Sequence, residues 1–179
     1  MKFGSLDIIA PRLLRTSCNE AEVLGSAVWL WLHSPAHRDA PLKVLPTVLL
    51  PAIKRGQFVL ATEAGKPVSY LSWASFSEEA EARYLSRSPE HMSDADWSSG
   101  DRIWLLDWVA PFGHTGAMRH VTARLFADRC LRSLYHRGDE RGLRVMEFRG
   151  IAVMKEEARA WFFDHPIVRA LPNSGENQR

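Results

Sequence analysis

The sequence predicts an α/β (α+β) protein in which helices and strands follow one another along the chain. Ser17 and Glu20 have the spacing of a helix capping box, and apolar residues recur after them at three- and four-residue intervals. Two β-rich runs, at 57–62 and 67–74, flank a turn that contains glycine, which is the pattern of a hairpin. A later apolar run ends at a glycine turn that opens an amphipathic segment, which indicates a strand followed by a helix.

The first half of the chain is predicted to be mostly helical. The helix that follows the capping box ends before Pro35, because proline removes a backbone donor and disfavours helix in the residue before it. Residues 33–39 then form a polar hinge. Residues 41–54 predict a second helical segment, which two prolines make irregular and Gly56 stops.

The second half alternates between the two kinds of element. We expect Arg119 and Arg132 on the outer face of its longest helix. The tail at 173–179 is expected to be frayed. After the hairpin, the predicted elements are a helix at 78–85, a strand that carries Asp107, a helix at 116–135, a strand at 143–149 and a helix at 155–163.

Composition places the chain among single-domain globular proteins. Its 179 residues suit one domain spanning 1–179, with peripheral termini at 1–16 and 173–179. A net charge of +2 is too small to indicate a nucleic-acid partner. The two cysteines lack CxxC spacing, which suits free thiols in a reducing cytoplasm. Because no signal peptide and no membrane-spanning run is recognised, we expect a cytoplasmic protein without an integral membrane segment.

Asp107 is the residue whose surroundings most need a physical explanation. It stands among tryptophan, leucine and valine in its predicted strand, and a buried carboxylate costs several kcal/mol unless a partner offsets that cost. One interpretation is a catalytic acid near a strand end, where open α/β sheets place their chemistry. The other is a structural acid paired with Arg102 or another arginine. Asp101 and Arg102 are themselves expected to form an ion pair where the strand begins.

His37 lies in the polar hinge, close to Ser34, Arg38 and Asp39. A solvated loop histidine is the simpler interpretation of this spacing. However, a carboxylate bonded to one imidazole nitrogen would fix the tautomer and stabilise the imidazolium, which would make His37 a base. Contact between His37 and Asp107 would therefore change the interpretation of both residues.

The turn at 113–116 joins the Asp107 strand to a helix, where free backbone N–H groups and the helix dipole favour a phosphate. It carries neither a Walker lysine nor the three-glycine dinucleotide motif, so it is a weak indication on its own. His114 and His120 lack a third ligand at metal-binding spacing, and no metal site is expected. Tryptophan pairs such as Trp29 and Trp31 are expected in the core rather than at a ligand surface.

Four motifs occur together in one order: HSPAHRD from His33, LPAI from Leu50, PVSYLSWA from Pro67 and SGDRIWLLDWVAPFG from Ser99. On these motifs, with a weaker echo at 147–150, the chain resembles the RTX toxin-activating lysine acyltransferases, the hemolysin-activating family. The resemblance is collinear over about residues 24–116, more than half of the chain. It implies a GNAT-like central mixed sheet flanked by helices.

The resemblance implies an enzyme that moves a fatty acyl group from acyl carrier protein to internal lysines of an RTX protoxin and so activates the toxin. The carrier and the protoxin would be its partners, and a homodimer is compatible with the family. No cofactor would be permanently bound, because the phosphopantetheine thioester of the acylated carrier is a co-substrate. Matching positions give three catalytic candidates: His37, Asp107 and Ser34. The candidates for binding the donor are Gly113, Gly116 and Arg119.

Chemistry and resemblance together give a mechanistic hypothesis. A target lysine has an ordinary pKa of about 10.4, so acyl transfer needs a base to make it nucleophilic. His37 would take that proton, and Asp107 would hold and charge-balance the imidazole. A covalent acyl intermediate on His37 or Ser34 stays open as a second route.

Three residues, Ala40, Val48 and Leu71, depart from the family's pattern. They bear on the length of the acyl chain and on the toxin partner more than on the reaction. Two alternatives stay open. One is a non-catalytic paralogue that binds acyl carrier protein or toxin, and the other is a GNAT-type acyltransferase that uses acyl-coenzyme A.

Overall fold

A computed structural model of the chain describes residues 1–86, 92–135 and 144–167. Within these ranges a sheet of seven strands follows the order of the chain. The strands are β1 Lys2–Phe3, β2 Leu6–Ile9, β3 Phe58–Glu63, β4 Lys66–Phe76, β5 Arg102–Val109, β6 Cys130–Leu134 and β7 Val145–Arg149. The helices are α1 Pro11–Leu14, α2 Glu20–Leu32, α3 Leu45–Val48, α4 Leu50–Lys54, α5 Glu78–Ser86, α6 Thr115–Leu125 and α7 Lys155–Asp164, with a 3-10 turn at Leu42–Val44.

The sheet is mixed. β5 and β6 run parallel, whereas β1 with β2, β2 with β3, β3 with β4 and β6 with β7 are antiparallel pairs. The predicted α/β fold, a central mixed sheet flanked by helices, is confirmed. No helix in the described ranges is both long enough and apolar enough to cross a membrane.

The chain divides into two compact units. The first comprises Met1–Trp73 and Leu106–Leu125, and the second comprises Ala74–Leu105 and Phe126–Arg179. The single domain inferred from the sequence stays a prediction. The tail at 173–179 lies outside the described residues.

In the first unit, α2 is confirmed but its cap differs from the prediction. Asn19, not Ser17, is the N-cap residue. Its side-chain oxygen accepts hydrogen bonds from the backbone N–H groups of Ala21 at 2.9 Å and Glu22 at 3.3 Å. Asn19 caps the helix in place of Ser17 because it stands directly before the first helical turn, where its amide oxygen reaches those two N–H groups. One face of α2, including Val23 and Ala27, then packs into the core of the unit.

The other predictions for the first unit agree with the structure. The segment at 41–54 is helical in three short pieces, and the hairpin turn has Ala64 and Gly65 at φ 48° and 77°, the left-handed values that a tight hairpin turn requires. The segment at 1–16 supplies β1, at the edge of the sheet, and β2, which pairs with β1 and β3 and buries Leu6 and Ile8. Its peripheral position stays a prediction.

The helix predicted at 116–135 is wrong in its latter half. α6 ends at Leu125, and residues 130–134 form β6, in which Leu131 stands opposite Ile103 of β5. Four of the five residues of β6 are buried, so its sequence lacks the alternation that identifies a half-exposed strand. Arg132, predicted on an outer helix face, is 1% exposed.

The remaining elements of the second unit agree with the prediction. The helices expected at 78–85 and 155–163 are α5 and α7. The described part of the strand expected at 143–149 is β7.

Candidate active site

A hydrogen-bonded turn after α2 holds Ser34 and His37 together. The N–H of Ser34 donates to the carbonyl oxygen of Trp31 at 2.9 Å, and the N–H of His37 donates to that of Ser34 at 3.0 Å. The hydroxyl oxygen of Ser34 lies 2.8 Å from Nδ1 of His37. The hinge predicted at 33–39 is therefore a defined turn that fixes the imidazole from one side.

Asp107 meets His37 from the other side. Asp107 lies near the end of β5 and is 7% exposed. Its Oδ1 atom lies 3.1 Å from Nε2 of His37, whose side chain is 16% exposed. The contact between these two residues, which are far apart in the sequence, is confirmed. We call Ser34, His37 and Asp107 the His37 cluster. Their catalytic roles stay a prediction.

Trp31 completes the surroundings of Asp107. Its indole Nε1–H donates to Oδ2 of Asp107 at 2.9 Å, so each carboxylate oxygen has a partner. The indole ring also lies 5.0 Å from the imidazole of His37, centroid to centroid, at an interplanar angle of 35°. Trp31 is buried as expected, but the sequence reasoning gave it no role at the site. The available signal was that a buried indole N–H usually needs an acceptor, and Asp107 needed donors.

Arg102 is not the partner of Asp107. Its guanidinium lies 2.6 Å from Glu81 and 3.2 Å from Glu78. The structural alternative for Asp107 that named Arg102 is therefore wrong. The pairing expected between Asp101 and Arg102 is wrong as well, because the carboxylate of Asp101 lies 3.6 Å from His165 instead.

The hydrogen bonds of the His37 cluster define which nitrogen can act as a base. An ionised carboxylate only accepts hydrogen bonds, so with Asp107 ionised the proton of a neutral imidazole lies on Nε2. The lone pair then lies on Nδ1, which accepts from the hydroxyl of Ser34. This tautomer is assigned from the pattern of partners. The arrangement can take a proton at Nδ1 and stabilise the resulting imidazolium through Asp107.

Tyr70 of β4 lies near Asp107 and is uncharged at neutral pH. Its side chain is fully buried, and its hydroxyl has no hydrogen-bond partner in the described structure. Burial, together with the negative charge of Asp107, raises the pKa of Tyr70 well above its ordinary value. Tyr70 therefore stays protonated at neutral pH and does not compete with His37 as a base.

The three predicted donor-binding residues lie together where α6 begins. Gly113 has φ 84°, and a side chain added at Gly113 or Gly116 would meet no atom within 4 Å, so the backbone here is accessible. Arg119 is exposed on α6. In the described structure none of the three has a side-chain hydrogen bond or ion pair with the His37 cluster. Their role stays a prediction.

A carboxylate and an imidazole stand beside this turn. Nε2 of His114 lies 3.3 Å from Oε2 of Glu63. Hydrogen bonds from Ser5 and then from His114 lower the pKa of Glu63, which therefore stays ionised.

Across the ranges described, no three His, Cys, Asp or Glu side chains are grouped so that they could hold a metal ion. Cys18 and Cys130 are free thiols, and burial raises the pKa of both.

Comparison with known proteins gives matches over most of the chain. Residues 16–149 match the model of the RTX toxin acyltransferase family. The chain is 37% identical over 161 residues to the leukotoxin-activating lysine-acyltransferase LtxC of Aggregatibacter actinomycetemcomitans, covering 88% of this chain and 95% of that protein. It is 38% identical over 157 residues to the protein-lysine myristoyltransferase HlyC of Escherichia coli, covering 87% and 92%.

A comparison of solved structures also gives a match. The chain is similar to the loading GNATL domain of CurA from Lyngbya majuscula, with a TM-score of 0.48 and 9% sequence identity. The match covers 72% of this chain and 64% of that one.

Proposed function

The chain belongs to the RTX toxin acyltransferase family, and on that premise we propose that it transfers a fatty acyl group from acyl carrier protein to internal lysines of an RTX protoxin. The names of its relatives LtxC and HlyC, a lysine-acyltransferase and a protein-lysine myristoyltransferase, support the reaction class. The observation that carries the proposal is the contact of 3.1 Å between His37 and Asp107. A buried carboxylate that faces a histidine can support proton transfer near neutral pH.

The first task of His37 is to make the lysine nucleophilic. A lysine ammonium has no free electron pair, so a proton must leave Nζ before attack. Nδ1 of His37 accepts that proton, directly or across the hydroxyl of Ser34, which lies 2.8 Å away. The imidazolium that forms is stabilised by the Asp107 carboxylate.

The acyl transfer itself exchanges one bond for another. The lysine nitrogen forms a bond to the thioester carbonyl carbon, and the bond from that carbon to the phosphopantetheine sulfur breaks. The nitrogen gives up two protons in all. His37 releases the first to solvent, takes the second as the amide forms and gives it to the sulfur, which leaves with the electron pair. The products are an amide on the lysine, a free thiol on the carrier and one proton in solvent. We propose direct attack, without an acyl group on the enzyme.

Donor binding belongs to the turn before α6. Gly113 and Gly116 offer accessible backbone N–H groups at a helix N-terminus, and Arg119 adds a positive charge one turn later. A carrier presents one phosphate rather than the diphosphate of coenzyme A, so a short glycine turn suffices. We place the reaction in the cytoplasm, which suits two free thiols.

The test combines purified protein, myristoyl-acyl carrier protein and an RTX protoxin fragment that contains candidate lysines. Peptide mass spectrometry measures the acylated lysines. We expect His37→Ala to reduce the initial rate by about 10²- to 10⁴-fold, the usual contribution of a general base. His120→Ala, which changes an exposed histidine on α6, is the matched control and should retain the wild-type rate.

Each alternative has its own outcome in this assay. Wild-type rates with His37→Ala would refute the catalytic assignment. Equal rates with myristoyl-coenzyme A would favour the GNAT-type alternative. Carrier binding without any product would identify a non-catalytic paralogue. If the protoxin is omitted, an acyl group on Ser34 or His37 would contradict direct attack.

A further inference from the structure

We propose that Trp31 is a positioning residue, whose indole N–H holds the Asp107 carboxylate in the orientation that His37 needs. The inference rests on the proposed function of the His37 cluster and adds a residue to it. The hydrogen bond from Nε1 to Oδ2 measures 2.9 Å and is buried. The other oxygen of the same carboxylate faces His37, so the two partners together fix the rotation of the group.

The chemistry of indole suits this task. The N–H of tryptophan is a donor only, and it neither ionises nor accepts a proton at physiological pH. It can therefore satisfy Oδ2 without competing for the proton that His37 carries. An arginine in its place would bring a permanent positive charge next to the imidazole and oppose its protonation.

The packing of Trp31 makes it a rigid donor. Its side chain is 6% exposed and belongs to the core cluster that also contains Leu49, Phe58 and Val109. An indole enclosed on several sides by apolar side chains has little freedom to rotate. It therefore presents its N–H at a fixed point, and the carboxylate aligns with it.

Trp29 shows what a tryptophan of the same helix looks like without this role. It is 49% exposed, and its ring lies 4.3 Å from that of His33 rather than at the carboxylate. The expectation that both tryptophans belong to the core is therefore wrong for Trp29 and right for Trp31. Trp29→Phe is a matched control for Trp31→Phe, since both make the same chemical change on one helix.

The electrostatic surroundings of Asp107 predict the direction of the effect. Among the described residues, the titratable groups that face it are His37 from the hinge and Tyr70 from β4. Loss of the indole N–H leaves the charge of the carboxylate less stabilised and makes it a stronger acceptor for the imidazolium. His37 then holds its proton to higher pH.

The experiment has two parts. In the acyl-transfer assay with myristoyl-acyl carrier protein, we expect Trp31→Phe to lower kcat by about 10- to 100-fold, the equivalent of one hydrogen bond to a charged group. The KM for the donor should stay the same, because Trp31 is buried and is not part of the turn at 113–116 proposed to bind the donor. In the free protein, NMR follows the ring protons of His37 against pH, and the midpoint should move upward in Trp31→Phe but not in Trp29→Phe.

The NMR titration needs neither donor nor toxin, so it tests Trp31 even if the proposed reaction is wrong. A midpoint that stays or falls in Trp31→Phe would overturn the assignment. So would a kcat that matches that of Trp29→Phe. Because phenylalanine is smaller than tryptophan, a second variant carries 3-benzothienylalanine at position 31, which keeps the size of the ring and lacks only the N–H donor. It should reproduce both effects, and wild-type behaviour in it would attribute the loss to packing instead.

Discussion

Two buried carboxylates of this protein, Asp107 and Glu81, share one kind of partner. Asp107 accepts a hydrogen bond from the indole of Trp31 at 2.9 Å, and Glu81 accepts one from the indole of Trp104 at 2.8 Å. In both places a neutral donor satisfies one oxygen without changing the local charge. The indole therefore does not distinguish the two sites.

The charged partner does distinguish them. Glu81 lies 2.6 Å from Arg102 and 3.0 Å from Arg132, whereas Asp107 faces His37. A guanidinium stays protonated at any physiological pH, so Glu81 is locked in a permanent ion pair. A histidine can gain and lose its proton in that range. A buried carboxylate beside arginine therefore forms a permanent ion pair, whereas one beside histidine can take part in proton transfer, which is the role proposed for Asp107.

The two arginines that pair with Glu81, Arg102 and Arg132, also contact the last described residues of the chain. The guanidinium of Arg132 lies over the rings of Trp161 and Phe162, with centroid distances of 5.5 and 5.2 Å. The backbone carbonyls of His165 and Pro166 accept hydrogen bonds from Arg132 and Arg102, respectively. The ion pair therefore anchors α7 and the residues after it within the second unit.

The largest expected effect is on the rate of acyl transfer in Asp107→Asn. An amide cannot balance the imidazolium, and its NH₂ group would favour the wrong tautomer of His37, which costs about 10⁴-fold in comparable sites. The free energy of unfolding should change by only about 1 kcal/mol, since the amide oxygen can still accept from Trp31. Peptide mass spectrometry and urea unfolding measure the two quantities. Asp39→Asn, an exposed acid of the same hinge, is the control. A wild-type rate of acyl transfer in Asp107→Asn would contradict the catalytic role proposed for Asp107, and its carboxylate would then be structural like that of Glu81.

The second effect is on stability and concerns Glu81→Gln. Removing this charge leaves two buried guanidinium groups without their central counter-ion, so the free energy of unfolding should fall by about 3–5 kcal/mol. Urea denaturation measures the loss, and Glu79→Gln, an exposed residue of the same helix, should cost little. The folded fraction of Glu81→Gln should retain its acyl-transfer rate. A protein as stable as the wild type would show that this ion pair does not hold the second unit together.

The contact between His37 and Asp107 shows how far the sequence could lead. The spacing of the chain left both residues ambiguous, and only the family motifs joined them. Strand geometry alone raises an objection to one alternative, the pairing of Asp107 with Arg102. The two residues stand an odd number of positions apart in one strand, and side chains at odd spacing point to opposite faces. Arg102 was therefore a poor candidate to reach Asp107.

The parts that the sequence missed depend on tertiary packing. Trp29 and Trp31 look alike in the sequence, and the way α2 is rotated against its core decides which indole reaches a carboxylate. Arg132 was expected on a helix surface because a strand buried on both faces lacks the alternation that identifies strands. The first miss concerns which side of a helix becomes buried and the second concerns the type of element, and local patterns determine neither.

The smallest effect concerns a third buried carboxylate, Asp96. Its charged partner is an arginine, as for Glu81, but this arginine, Arg83, is half-exposed. Burial alone would raise its pKa, but hydrogen bonds from the half-exposed Arg83 and from the backbone N–H of Ser93 outweigh burial and lower the pKa below its ordinary value. A lowered carboxyl pKa stabilises the fold above the pKa of the unfolded state, about 3.9, and this stabilisation is lost as pH falls through the folded value. Asp96→Asn should therefore lower the Tm at pH 7 by a few degrees, and the gap to the wild type should close in acid.

Calorimetry between pH 7 and about pH 3 measures this gap, with Asp128→Asn, an exposed acid, as the control. A gap that persists unchanged at the acid end would mean that Asp96 stabilises the protein through its shape and not its charge. The expected closure would place Asp96 with Glu81 among carboxylates that stabilise the fold through arginine. Asp107 would then stand apart, since neither of its two hydrogen-bonding partners, Trp31 and His37, is an arginine.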